Sequence, residues 1–159
     1  MEALIADIKT DITFLQKGKN SIIRKLERLK TETDYENIDS HVKAIAGSLH
    51  SIYTGCENIL ERIIRAIDGD IPLGKDYHSQ ILRRAVNEIE SLRPAIIHIH
   101  TYAKLDEFRA YRYKFRNIYL YLITPGRIKA LSQEGIELVD AIEKDIQKFI
   151  QFLVLKKSV

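Results

Sequence analysis

Nine apolar residues, Ile38, Val42, Ile45, Leu49, Ile52, Cys56, Ile59, Ile63 and Ile67, recur at steps of three and four through the middle of the chain. A strand cannot use such a period, because its alternate side chains point to opposite faces. On a helix the nine fall along one stripe. The feature therefore predicts a helix of roughly eight turns with one apolar face. A helix that long must bury its stripe against other helices or against a sheet, and the rest of the sequence decides which.

Every other periodic segment also reads as helix. Leu4, Ile8, Ile12, Leu15, Ile22, Leu26 and Leu29 give a first helix ending near Lys30, with Lys19 interrupting the stripe, and the polar stretch from Thr31 to Asn37 separates it from the second. The segment DGDIPLGK, Asp68 to Lys75, combines two glycines and a proline and predicts a loop. A third helix is expected from about Asp76 through Ile81, Leu82, Val86 and Ile89 to Arg93, where Pro94 disfavours helical geometry in the residue before it. The stretch AIIHIHTYAK, residues 95–104, is locally ambiguous. From about Lys104 to Ile123, the residues Phe108, Tyr111, Phe115, Ile118 and Leu122 span an arc of roughly 80° on a helical wheel and predict a buried face. Thr124-Pro125-Gly126 stops that helix, and Ile136, Val139, Ile142, Ile146, Phe149 and Leu153 mark the last one. With only seven glycines and three prolines to break it, and no internal repeat, the chain is expected to form one all-α domain over residues 1–159. The expected architecture is an antiparallel helical bundle whose first two helices are long.

One cysteine, Cys56, excludes an internal disulfide, and no charged-then-apolar leader opens the sequence, so a cytoplasmic protein is expected. Charged residues recur within every helical period, which argues against a membrane span. A net charge of +3 and a pI near 8.9 permit a nucleic-acid partner without requiring one. Distribution says more than the total. FRAYRYKFR, Phe108 to Arg116, holds Arg109, Arg112, Lys114 and Arg116 with no acid among them, making these four the candidate RNA- or phosphate-binding residues. On the wheel Arg112, Arg116 and Tyr119 lie within roughly 60° of one another, apart from the aromatic stripe. Such clustered guanidiniums are solvated, paired with acids from elsewhere, or used to hold phosphate bidentately.

The segment YRYKFRNIY, Tyr111 to Tyr119, resembles the motif segment of HepT-like toxins of the HEPN superfamily. CENILERIIRAIDGDIPLGKDYHSQIL, Cys56 to Leu82, also resembles that family's second helix, its glycine- and proline-bearing loop and the start of its third helix, where His78 stands. The resemblance implies a HEPN-type bundle carrying a basic motif helix. HEPN ribonucleases have an Arg, four spacers, a His, one further residue and a Tyr, and this sequence places Arg112, Asn117 and Tyr119 at those positions. The resemblance casts these three as the catalytic set, the Arg gripping the scissile phosphate and the His moving a proton at the ribose 2′-hydroxyl. An Asn117 amide cannot take up that proton. Binding of RNA is thus better supported than cleavage, and metal-independent endoribonuclease activity stays open.

In HepT-like toxins the motif tyrosine accepts AMP from a cognate nucleotidyltransferase antitoxin of the minimal (MNT) type, so the resemblance also makes Tyr119 a modification site. It implies a homodimer in which two copies of Arg112, Arg116 and Asn117 share a cleft. That arrangement would ease the roughly 140° separating Arg112 from Asn117 on one helix. The alternative reading is a non-catalytic helical dimer that scaffolds a nucleotidyltransferase or another protein, and Asn117 favours it. No cofactor and no metal are expected. His98 and His100 lack further ligands nearby, Cys56 lies on an apolar stripe, and Gly69 and Gly74 lack a strand-glycine-helix context. His78 is expected to bond the loop before it.

Overall fold

The computed structural model describes residues 1–117 and 123–157, the side chains of residues 113–117 and 157 lying outside that description. Among the described residues five helices follow one another: α1 (Glu2–Leu29), α2 (Tyr35–Asp68), α3 (Tyr77–Val86), α4 (Ile99–Asn117) and α5 (Pro125–Lys157). Among the described residues there is no strand, only an isolated antiparallel bridge between Ile89 and Arg93. An all-α bundle with two long leading helices is what the periodicities predicted.

Helix α2 is the axis of the bundle. It starts where the Asp34 carboxylate accepts the Asn37 N–H at 3.0 Å, and it ends where Gly69 takes a left-handed φ of 88°. Its predicted stripe is buried from Val42 to Ile63, and a second buried stripe runs beside it through Tyr53, Glu57, Leu60 and Ile64. A helix buried on so wide a face needs neighbours on several sides. Helices α1, α3, α4 and α5 all pack against α2. Close approach is built in by glycine: a Cβ on Gly55 would stand 2.7 Å from Leu15 of α1, and one on Gly135 of α5 would collide with Leu49. Lys19, the interruption in the α1 stripe, reaches across to pair with Asp140 of α5.

Two boundaries differ from expectation, and both have tertiary causes. Helix α3 stops at Val86 rather than running through Ile89 to Arg93. The Arg93 guanidinium donates to the carbonyls of Arg84 at 3.2 Å and Asn87 at 3.0 Å, groups that a continuing helix would need as acceptors. Helix α4 begins at Ile99, ahead of Lys104. The Asp145 carboxylate of α5 accepts the His98 N–H at 2.8 Å and the Thr101 hydroxyl at 2.6 Å, and the His98 Nδ1 accepts the His100 N–H at 3.2 Å. The ambiguous stretch is thereby resolved into a bend, with Ile96 and Ile97 buried and both donating to the Ala85 carbonyl, followed by a capped helix. Thr124 opens α5 by accepting the Arg127 N–H at 3.2 Å, with Pro125 at the first helical position, where its missing N–H costs nothing. No helix among the described residues is long and apolar enough to cross a membrane.

Candidate functional site

Three helices bring four polar side chains together beside the core. Tyr53 and Glu57 stand one turn apart on α2, His78 is the second residue of α3, and Arg112 lies on α4. The described part of α4 buries Thr101, Leu105 and Phe108, and Arg112 continues that inward register one turn later. It is half-buried and faces α2 and α3. The wheel had put Arg112 away from the buried face because that face was centred on Tyr111 and Phe115. Tyr111 instead sits at the edge, its hydroxyl accepting from Arg127 at 3.0 Å and its ring 5.3 Å from the same guanidinium.

Glu57 is the hub. Its side chain is 7% exposed, and one oxygen, Oε1, receives both the Tyr53 hydroxyl at 3.0 Å and His78 Nδ1 at 2.6 Å. A buried carboxylate is tolerable only with such donors around it. Burial, reinforced by the Glu57 charge and hydrogen bond, pushes the Tyr53 phenol well above its ordinary range, so it stays protonated and donating. While Glu57 holds His78 at Nδ1, the Arg112 Nη1 lies 2.6 Å from the other ring nitrogen, Nε2. The same Nη1 is 3.1 Å from Nδ1, so it lies against the ring, close to both nitrogens. Arg112 Nε is buried without a hydrogen-bond partner among the described residues.

The imidazole is held from outside as well. The Tyr77 ring meets it edge-on, with centroids 5.2 Å apart and planes at 83°. Tyr77 is in turn fixed by donating its hydroxyl to Glu61. Burial and that bond raise the Tyr77 phenol, while the Tyr77 hydroxyl and then Arg65 hold Glu61 below the ordinary carboxylate value. His78 nonetheless keeps 38% of its side chain accessible, so the chain Tyr53–Glu57–His78–Arg112 opens to solvent at the imidazole.

The predicted site residues divide sharply. Arg112 is at the cluster. Arg109 is not: its Nε donates to Asp106 at 2.8 Å, and that bond raises its already high pKa. The acid-free run contained no partner for it, yet Asp106, just outside the run, lies one helical turn back. Lys114, Arg116 and Asn117 lie on the backbone of α4 with side chains outside the described residues, and Tyr119 lies outside them altogether. His78 bonds Glu57 and Arg112 instead of its preceding loop. Tyr53 and Glu57 were missed, although a glutamate in the register of Leu60 and Ile64 on an apolar helix was a legible anomaly. His98 and His100 are exposed, and among the described residues no group of three or more His, Cys, Asp or Glu could hold a metal ion. Cys56 is fully buried, which pushes its thiol far above the reactive range.

Residues 44–153, more than half of the chain, match the model of a family described as HepT-like protein. The chain belongs to the HepT-like family. The matched span of this HepT-like chain takes in Tyr53, Glu57, His78 and Arg112 as well as motif positions Asn117 and Tyr119. No curated protein and no solved structure matches the sequence.

Proposed function

We propose that this HepT-like chain is the toxin-type component of a toxin–antitoxin pair, a cytoplasmic homodimer that engages RNA through Arg112 and the basic residues after it. The single observation behind this reading is the company Arg112 keeps. Among the described residues its hydrogen-bond partner is the His78 imidazole, and no carboxylate contacts it. Arg109 shows the contrasting state, with an acid in contact. An arginine that is oriented and has no acid in contact among the described residues is prepared to grip a phosphodiester. Lys114 and Arg116 would extend the cationic surface, and a two-fold partner would double it.

Neutralisation would fall to an MNT-type nucleotidyltransferase that places AMP on Tyr119, adding anionic phosphate beside the arginines and covering the RNA surface. Asn117 favours a second reading, in which the helical dimer only scaffolds that enzyme. Electrophoretic shift of RNA by the purified protein separates the two. The toxin reading expects binding that weakens with salt, and in Arg112→Ala a weaker shift with the salt slope reduced by about one. Absence of any shift leaves the scaffold. Intact mass after co-expression with the nucleotidyltransferase tests Tyr119: an increment of one or more AMP groups, lost in Tyr119→Phe, is expected.

A further inference from the structure

The geometry points to His78 as the imidazole that position 117 lacks: a general base for RNA cleavage, aimed by Glu57 and uncovered when Arg112 moves onto the phosphate. This inference rests on the reading that Arg112 grips RNA. Three observations carry it. The ring is oriented on two sides, by Glu57 at 2.6 Å and by the Tyr77 edge. Its Nδ1 is held by a buried carboxylate, an arrangement that leaves Nε2 as the nitrogen to take up a proton. Lastly, the cation covering that Nε2 is the one residue whose expected ligand is the phosphate next to the reacting hydroxyl.

The first event is an exchange of partners. Arg112 Nη1 leaves Nε2 for a non-bridging phosphate oxygen, and the freed lone pair then faces the ribose attached to that phosphate. The 2′-O–H bond breaks with its proton passing to His78 Nε2, and the 2′ oxygen forms a bond to phosphorus. The bond from phosphorus to the 5′ oxygen breaks, that oxygen takes a proton from a solvent water, and the imidazolium gives its proton to the hydroxide left behind. The products are a 2′,3′-cyclic phosphate and a 5′-hydroxyl, with no oxidant, metal or cofactor entering the balance. Arg112 stabilises the charge gathering on the phosphorane oxygens. Glu57 is a positioning residue that holds the Nδ1 proton and accommodates the imidazolium, and buried Tyr53 keeps the carboxylate in place.

The test uses the purified full-length protein and a random-sequence RNA pool, with binding read by mobility shift and product ends by a ligation selective for 2′,3′-cyclic phosphates. Wild type is expected to bind and to cleave. His78→Asn keeps an amide donor for Glu57 and should bind within about threefold of wild type while cleaving at least about 100-fold more slowly. Cleavage by His78→Ala should be partly restored by added imidazole. Glu57→Gln should lower kcat about tenfold with KM unchanged, and Glu57→Asp should recover part of it. Should both His78 variants fail to fold, as judged by helical circular dichroism, carbethoxylation of wild type decides: loss of cleavage must track modification of His78 rather than of His98 or His100. Binding without cleavage, or cleavage undiminished in His78→Asn, overturns the role of His78 and leaves RNA binding standing. Absence of binding overturns the reading beneath it.

Discussion

Two arginines reach from later in the chain back to α2 and α3, and they end in opposite states. Arg93 is fully enclosed: its side chain is 0% exposed, and it makes five hydrogen bonds, a bidentate pair to Asp68 at 2.6 and 2.8 Å and three to the carbonyls of Arg84, Asn87 and Pro94. Every N–H of that guanidinium has an acceptor, and its charge is cancelled by a carboxylate equally buried. Arg112 contacts an imidazole, leaves a buried Nε without a described partner, and faces a histidine still open to solvent. Saturation makes Arg93 a fastener for the end of α2, the end of α3 and the bridge between them. Incompleteness makes Arg112 a group with bonds left to form. The same residue type thus divides into structure and site according to whether its donors are already satisfied.

The contrast can be broken at its strongest point first. Arg93→Ala strands the Asp68 carboxylate in the interior and should destabilise the fold by about 3–5 kcal/mol, read from urea unfolding midpoints. A loss under about 1 kcal/mol would mean the two arginines are not different in kind. Gly135→Ala, which drives a methyl group into Leu49, should cost about 1–3 kcal/mol in the same assay and calibrates a purely steric defect of the core. Arg112→Ala should cost no more than about 1 kcal/mol of stability, because it removes a bond to a partly solvent-accessible ring, while weakening RNA binding.

The smallest effect lies at the rim of the open cluster. The Glu61 carboxyl is held below its ordinary value of 4.5, first by the Tyr77 hydroxyl and then by Arg65. A depressed folded pKa contributes stability above the unfolded value and loses it as pH falls through the folded one. Stability should therefore fall below about pH 4.5 less steeply in Glu61→Gln than in wild type, by a few tenths of a kcal/mol in a pH series of thermal melts. Equal slopes would show that Glu61 does not brace Tyr77 through its charge.

The sequence by itself determined the number and approximate extent of the helices, the place of the loops at Asp68–Lys75 and before Pro125, and the core stripe of α2. Period, proline and glycine act over a few residues and need no partner to be read. It also supplied the motif around Arg112 and the family. Tertiary structure decided where α3 ends and α4 begins, because Arg93 and Asp145 take or supply the terminal hydrogen bonds from remote positions. It decided that Arg109 is paired while Arg112 turns inward, since a wheel gives angles but not which arc neighbouring helices will cover. Above all, it assembled Tyr53, Glu57, His78 and Arg112, residues spread over three helices, into one hydrogen-bonded chain. Charge and hydrogen bonding act across space, so no reading confined to local spacing could have put the histidine of α3 against the arginine of α4.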